Sequence, residues 1–492
     1  MKTLRLLLLM EAVILLLNAG NLPAQNCEYW SVPQPVSDSV TDNHNATLVM
    51  LSSNPRTYYV FWERTFEDSW SEIVCSDYYE TGEPQVIFHA NSFDVNNPQV
   101  IAVTDYPDQD TLAFVFYIYT YMEGYRDIFY QVMTDTGFTG SNRFTNTILN
   151  ESNLRVSPGG GMVWQEGDKI RFSRLRQDNS GFLFEPVVTI DSGDCRNPDI
   201  QNTTDYYSNE EFIAWEKGDP ENPEIWFSEW SFENEAWSEP MLLFGDGKHS
   251  GIRFSGGTDM ASWVSVLLSD FTDETGKYRI SGFDFMEQNE FITEFSQEAP
   301  FQPSLLTIDI ITDYWQMGYL AFRHDDGDGH SDIYSSDYGW IDPFPENYCR
   351  IDSTDQPDVY PQLFQGAWYF SYFDLVCIWE TWRNGHWQLF SAMTPVVIGN
   401  VPDQADEGDL KVQAYPNPVT DFFYLEYETD GITAVNITCY NTFGQIVKTF
   451  TGNYSTKGKT KNSIDMSNLP AGVYLVKTIA GQDVSTIRFI KK

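Results

Sequence analysis

A unit of about 45 to 50 residues recurs along most of this chain, and a period in that range marks supersecondary units that stack or radiate into one continuous core. The units begin near Ala46, Asn97, Leu154, Asn197, Gly251, Gln302 and Tyr360. Each carries a Pro-x-apolar run, an apolar stretch that often ends in Trp-Glu, a hairpin tip and a stretch of the type Ile-Tyr-x-Ser. Many add a Trp-Ser-x-Pro stretch. The second stretches end at Phe61-Trp62-Glu63, Val163-Trp164-Gln165-Glu166, Ala214-Trp215-Glu216, Ala321-Phe322-Arg323 and Ile378-Trp379-Glu380. These start points make seven units, of which the second and fifth diverge most.

Four short strands per unit suit the blade of a β-propeller. The composition agrees, since aromatic residues reach 16% and the hydrophobic total 42%, enough for a large β-rich core. Ring closure is also written in the chain. The last unit runs through Leu389-Phe390-Ser391 without a Trp-Ser-x-Pro strand, whereas Tyr29-Trp30-Ser31-Val32-Pro33 near the N-terminus resembles Trp237-Ser238-Glu239-Pro240. A blade completed from both ends seals the ring and removes exposed sheet edges. The expectation is therefore all-β, a seven-bladed propeller followed by a small sandwich, with six or eight blades as the competing counts.

The N-terminus has Lys2 and Arg5, an apolar stretch from Leu6 to Leu17, and Leu22-Pro23-Ala24-Gln25, the layout of a secretory signal over 1–24. Glu11 breaks the apolar stretch, so a membrane span of about 20 residues is not expected. Gln25 and Asn26 precede Cys27, which disfavours a lipoprotein site. The passenger is expected over 25–400 and an acidic, solvated linker over 401–409. Beyond it the charge reverses: residues 410–492 carry net +3, against net −46 for residues 25–409. Alternating runs at Phe422 to Glu426, Val435 to Tyr440, Ile446 to Phe450 and Val473 to Lys477 predict a small β-sandwich.

Four motifs in this last segment carry a family resemblance. They are Tyr415-Pro416-Asn417-Pro418-Val419-Thr420-Asp421, the Asn441-Thr442-Phe443-Gly444-Gln445 turn, the run Leu469-Pro470-Ala471-Gly472-Val473-Tyr474 through Lys477, and a terminus closing on Lys491-Lys492. Together they resemble the C-terminal sorting domain of type IX secretion cargo. The resemblance implies an immunoglobulin-like sandwich that directs passage across the outer membrane of Bacteroidota. It also implies as partners the secretion machinery and a sorting peptidase, with the passenger released or joined to surface lipopolysaccharide. The expected location is extracellular, secreted or attached to the outer-membrane surface.

The formal net charge of −42 disfavours phosphate backbones and anionic lipid as partners, so neither nucleic acid nor an anionic membrane surface is expected. In a propeller blade the second hairpin and the connector into the first strand emerge on one face. This puts His44, His249, His324, His330 and His386 on a common rim, five of the six histidines, though spread over four blades. The Trp-Glu pairs read as Trp wedged between blades with Glu solvated at the strand end, or else as an aromatic platform for sugar rings. Within Asp325-Asp326-Gly327-Asp328-Gly329-His330-Ser331-Asp332, the residues Asp326, Asp328 and Asp332 fit the spacing of a calcium loop, with alternate oxygens facing one centre. An acidic turn is the plainer reading of the same tip. Calcium is the one cofactor the sequence suggests.

No G-x-S-x-G elbow, H-E-x-x-H, phosphate-binding loop or Cys-x-x-Cys knuckle occurs, and the S-x-D-x-G-x-T-W boxes of sialidase propellers are missing. Export permits disulfides among Cys27, Cys75, Cys195, Cys349, Cys377 and Cys439. Cys377 lies in an apolar run and reads as a buried thiol, and Cys439 has no expected passenger partner. The leading expectation is an exported propeller that binds a glycan or protein without catalysis. A carbohydrate-active hydrolase or lyase is the alternative, and a surface-layer or adhesion component a third. Carboxylates gathered around one axial pocket would favour the enzyme.

Overall fold

A computed structural model describes residues 25–26, 30–397 and 412–492, apart from some turns and loops. In the first part these are 54–55, 67–69, 80–82, 91–92, 104–110, 122–123, 179–180, 205–208, 232–233, 256–265, 286–287, 294, 311–314, 326–329, 340–347, 353–355 and 370–371. In the second they are 416–418, 420–421, 430–432, 442–445, 456–457, 468, 470–471 and 481–482. The signal segment and the linker thus lie outside the described residues. The chain divides into two compact units, residues 1–366 with 375–394 and residues 395–492 with 367–374.

The first unit is built of antiparallel sheets that follow one another in sequence, and the described residues form seven of them. Their first strands are Asp42–Ser53, Val95–Ala102, Glu151–Val156, Cys195–Thr204, His249–Phe254, Ser304–Ile310 and Asp358–Tyr369. The second strand of each sheet is covered on both faces, so it reads as an unbroken apolar run rather than an alternating one. Val60, Phe61 and Trp62 are buried in the first sheet, Ala113 to Ile118 in the second, and Leu375 to Trp379 in the seventh.

Side chains of these runs alternate between the two neighbouring sheets, as period-two geometry requires. Trp164 packs with Phe114, Phe116 and Met162 between the second and third sheets. Its neighbour Val163 packs with Ile200 and Trp215 between the third and fourth. Phe212 and Ala214 then meet Ile252 and Leu267 of the fifth sheet, and Val266 and Leu268 meet Leu320 and Phe322 of the sixth. Each blade is stabilised mainly by the face it shares with the next.

The ring closes where expected. Gln34–Pro35 pairs with Ser391 and Phe390 as the outer strand of the seventh sheet. Flanking bonds run from Ser31 N to Met393 O and from Val36 N to Leu389 O, both 2.8 Å. Upstream, Gln25–Asn26 lies parallel to Cys349 and Arg350 on the outer edge of the sixth sheet. On the far side of the junction, Trp387 N donates to Asp42 Oδ1 at 2.8 Å and Tyr78 OH to Ser391 Oγ at 3.0 Å, tying the seventh blade to the first. Sheets that stack in order and rejoin at the ends make a β-propeller.

The second unit contains two facing sheets. One holds Val412–Tyr415, Phe422–Thr429 and Gly458–Asp465. The other holds Ile446–Ser455, Thr433–Asn441, Gly472–Ala480 and Asp483–Lys491. Phe423, Leu425, Val435, Ile437, Tyr474 and Phe489 fill the space between them. All four runs read as strands from the sequence lie within these elements.

Candidate functional site

The upper face of the propeller, where each first strand begins, carries a feature repeated around the ring. One residue per blade stands in the left-handed region: Asn45 (φ 55°), Asn97 (55°), Asn153 (51°), Asn197 (48°), Gly251 (63°), Gln302 (50°) and Tyr360 (53°). In the first five blades the register slips at this residue, which makes it a β-bulge. Asn tolerates this conformation better than most residues and Gly tolerates it freely, whereas Gln302 and Tyr360 adopt it at a cost. Proline follows immediately at Pro98, Pro198, Pro303 and Pro361, since a residue without an N–H is tolerated at a bulge.

The bulge residues are joined into a belt of hydrogen bonds that passes through every blade. Glu380 Oε1 at the end of the seventh blade's second strand accepts the N–H of Asn45 at 3.0 Å, and Asn45 Nδ2 donates to Glu63 Oε2 at 2.9 Å. Glu63 in turn accepts the Asn97 N–H. Asn97 Nδ2 donates to Leu154 O at 3.0 Å, and Asn153 Nδ2 to Asn197 Oδ1 at 3.0 Å. Asn197 Nδ2 reaches Glu216 Oε2 at 2.9 Å, whose other oxygen accepts Gly251 N at 2.9 Å. Asp270 accepts Phe301 N at 2.6 Å and Gln302 N at 3.3 Å, and Gln302 Oε1 accepts Tyr360 N at 3.0 Å.

This corrects the reading of the Trp-Glu pairs. The tryptophans are wedged between blades as expected, with Trp62, Trp164 and Trp215 fully buried. Buried rings offer no platform to a sugar. The glutamates are not solvated: Glu216 and Glu380 are buried and serve the neighbouring blade's bulge. Burial pushes the Glu63 carboxyl up from its ordinary value against the Asn45 bond, and burial pushes Asp270 up to about 7 despite its two backbone donors. Glu380, Glu63, Glu216 and Asp270 thus each hold one junction between neighbouring blades, while Asn97, Asn153 and Gln302 serve the others.

Two residues beyond the bulge the same strands place Thr47, Gln99, Arg155, Asp199, Arg253, Ser304 and Gln362. Arg155 Nη1 donates to Asn97 Oδ1 of the preceding blade at 3.3 Å, while its Nε lies 3.8 Å from Asp199 Oδ1 of the following one. Asp199 Oδ2 accepts Phe254 N of the fifth blade at 2.7 Å. Burial, with Arg253 adding repulsion, brings Arg155 down to about 10. A separate groove of about 440 Å³ opens between the third and fourth blades. Gln165, Asp168, Asp194, Arg196 and Asp219 line it. Arg196 is held there by Gly218 O at 2.6 Å and Asp219 O at 2.9 Å.

The rim histidines do not converge. His44 Nδ1 pairs with Glu380 Oε2 at 2.7 Å, and this carboxylate raises its pKa although burial opposes the charge. His249 is buried, stacks on Phe244 at 3.8 Å and bonds Ser269 Oγ at 2.9 Å; burial lowers it to about 4. His324 meets Gln297 Oε1 at 3.1 Å, and His386 lies 3.6 Å from Asp42.

Of the expected calcium ligands, Asp326 and Asp328 lie outside the described residues. Asp332 is buried, with Oδ2 accepting from Arg350 Nη1 at 3.0 Å. Among the described residues no group of three His, Cys, Asp or Glu side chains is placed to hold a metal ion. Cys349 is disulfide-bonded, whereas Cys75, Cys195, Cys377 and Cys439 are free and buried. Cys27 lies outside the described residues.

In the second unit, Tyr415 OH donates to Glu426 Oε2 at 2.9 Å, Tyr474 is buried in the core, and Leu469 packs against it. Val419 makes a parallel bridge to Lys491, its N–H donating to Ile490 O at 2.7 Å while Lys492 N donates to Val419 O at 2.8 Å. The first motif and the last are therefore joined in space. Gly472 opens the strand that pairs with Lys491, whereas Pro416, Asn417, Pro418, Gly444 and Pro470 lie outside the described residues.

A strand-repeat ring joined to a sandwich whose terminal motifs interlock defines a passenger with an appended domain. Residues 413–492 match the secretion system C-terminal sorting domain, and the chain is a type IX secretion cargo with a β-propeller passenger. That domain implies export to the cell surface or secretion, and among the described residues no helix is long and apolar enough to cross a membrane. No curated protein matches the sequence.

Similar solved structures include a six-bladed fucose-recognising lectin from Aleuria aurantia, with TM-score 0.36, 13% identity, and coverage of 65% of this chain and 98% of that one. Another is a neuraminidase-like protein from A/bat/Guatemala, with TM-score 0.39, 10% identity, and coverage of 78% and 99%. A Pyrococcus horikoshii acylaminoacyl peptidase has TM-score 0.37, 9% identity, and coverage of 82% and 58%. At such scores the propeller assignment rests on the strand pairing itself.

Proposed function

We propose that this protein is an exported binding module whose propeller engages a glycan at the upper face, with the C-terminal domain acting as its address. The observation that carries the reading is the use made of the rim acids. Glu63, Glu216, Asp270 and Glu380 each accept hydrogen bonds from the next blade, so these four carboxylates are structural parts. What the rim leaves exposed is a set of hydrogen-bonding and aromatic side chains, Asn45, Arg253 and Tyr360 among them. Side chains of this kind on a rigid scaffold suit sugar hydroxyls and ring faces. Calcium on Asp326, Asp328 and Asp332 would brace the hairpin tip of the sixth blade. Handling by the secretion machinery and its sorting peptidase belongs to the same reading.

The test is to incubate the secreted protein with a panel of polysaccharides and Ca²⁺, measuring co-sedimentation together with new reducing ends or unsaturated products. Retention of one polysaccharide without product supports binding. Steady product formation, or no retention of any polysaccharide across the panel, overturns the reading.

A further inference from the structure

We infer that the outward face of the sorting domain's three-stranded sheet is the surface by which the secretion machinery takes hold of this cargo, and that its partner there is an acidic protein surface. The inference rests on the reading that the machinery handles the chain, and it names the residues that are recognised. It begins from the alternation of one strand. In Phe422–Thr429 the side chains of Phe423, Leu425 and Tyr427 fill the sandwich core, so Phe422, Tyr424 and Glu426 point the other way. A sheet with one solvated face is polar on that face as a rule. Here Phe422 is 53% exposed, Tyr424 40% and Tyr415 38%.

Register gathers these side chains. Tyr415 pairs with Tyr424 across the sheet, and Glu426 pairs with Lys461 of Gly458–Asp465 one row further on. The two tyrosine rings lie 5.9 Å apart, and the Lys461 ammonium sits over both, 3.8 Å from the Tyr424 centroid and 4.9 Å from that of Tyr415. Tyr415 OH donates to Glu426 Oε2 at 2.9 Å, and Lys459 Nζ lies 3.7 Å from Glu426 Oε1. Asp465, opposite Phe422, is turned to the N–H and hydroxyl of Ser467 at 2.9 and 2.7 Å. Lys461 has no carboxylate within ion-pair distance among the described residues, and both lysines are exposed.

Clustered exposed aromatic rings are the signature of an interaction surface, and lysines at their edge set the charge of what fits it. The rest of the chain makes that charge selective. Residues 410–492 carry net +3 and residues 25–409 net −46, so an acidic receptor attracts the sorting domain and repels the passenger. It reads the address and leaves the propeller free. A sugar fits this face less well, because the Lys461 ammonium already covers the ring faces of Tyr424 and Tyr415 on which a sugar ring would stack. What remains for apolar contact is the Phe422 ring and the tyrosine edges, which suit side chains around an acidic patch.

The test is export of the full chain by a host with type IX secretion, read by cell fractionation, with melting of each purified variant as the check on folding. Lys459→Glu combined with Lys461→Glu should keep the wild-type melting temperature, because both side chains are exposed. It should lower the exported fraction roughly tenfold or more, since like charges across an interface cost at least that factor in affinity. Lys459→Arg with Lys461→Arg keeps the charge and should be exported nearly as well as the wild type. Phe422→Ser removes one exposed ring and should impair export at unchanged melting; it decides the matter if the glutamate pair melts lower. Phe422→p-benzoylphenylalanine, photocrosslinked in living cells, should give an adduct with a protein of the secretion machinery that is lost in the glutamate pair. Normal export of the glutamate pair or of Phe422→Ser overturns the inference, as does an adduct with lipopolysaccharide in place of a protein. Those results leave handling by the machinery standing as long as the wild type is exported, whereas a wild type retained inside the outer membrane removes both.

Discussion

Glu380 holds Asn45 across the junction where the propeller closes, its Oε1 accepting the Asn45 N–H at 3.0 Å while Oε2 meets His44 Nδ1 at 2.7 Å. A single carboxylate from the last blade thus fixes the strained bulge of the first. Glu380→Ala removes the acceptor of the Asn45 N–H and the partner of His44, and should destabilise the passenger by about 0.5–1.5 kcal/mol. Glu380→Gln, which can still accept from Asn45, should cost less. Chemical denaturation measures both, and a neutral Glu380→Ala would show that the junction bond contributes nothing net.

Stability should fall between pH 6.5 and pH 8.5. Burial raises Glu151 and Asp270 to about 7, and burial followed by repulsion from Asp352 and Asp332 raises Asp358 to about 8. A carboxyl whose folded pKa lies above its unfolded value binds more protons when folded. Its stabilisation is complete below the unfolded value and is lost as pH rises through the folded one, at up to about 1.4 kcal/mol per pH unit for each group. Raised His44 acts in the same direction, and the depressed His249 loses stability only as pH falls below about 6.5. Melting curves across this window should shift downward with pH, less steeply in Asp358→Asn. A rising trend would contradict the assignment.

Thiol chemistry should separate the cysteines. Cys75, Cys195 and Cys439 are buried, and burial pushes each thiol up to about 12, while Cys377 is raised further still. Iodoacetamide should leave all four unlabelled in the native protein and label them after unfolding. Cys349 should require a reductant as well. Rapid native labelling of Cys377 would count against its place in the core.

The terminal strand Asp483–Lys491 supplies Phe489 to the sandwich core and is bonded to Val419. Removing residues 487–492 should unfold the second unit and stop export, with the protein retained inside the outer membrane in cell fractionation. Replacing Lys492 alone, which is exposed, should leave the sandwich's melting unchanged. Normal export of the truncated chain would contradict a role for the folded domain.

Calcium should raise the melting temperature of the wild-type protein and leave Asp326→Asn and Asp328→Asn unaffected, as scanning calorimetry with and without a chelator would show. Equal shifts in all three proteins would place the effect elsewhere and leave the hairpin tip as an acidic turn.

Much of the architecture could be read before any coordinates. Repeat length, the apolar second strands and the unpaired Trp30-Ser31 segment predicted blades and their closure, because each rests on local periodicity or on a strand that lacks a partner nearby. The unit starts at Asn97, Asn197, Gly251, Gln302 and Tyr360 even coincide with the bulge residues, although as sequence they served merely as register marks. The signal for the bulge was present in the recurring Pro after them. The fate of Glu63, Glu216 and Glu380 was misjudged because a strand-end acid looks solvated until the next blade is laid against it.

By itself the sequence determined the period of the repeat, the sheet type, the export address and the excess of acid, all properties of residues near one another in the chain. Tertiary structure alone decided which polar side chains would meet. Asn45 and Glu380 are far apart in sequence and meet because the seventh blade closes against the first. His44 and His386, 342 positions apart by their numbers, come to the same closing junction, where His44 pairs with Glu380 at 2.7 Å and His386 lies 3.6 Å from Asp42. Proximity across a ring depends on how many blades close it and how each strand is kinked, and no local pattern encodes that distance.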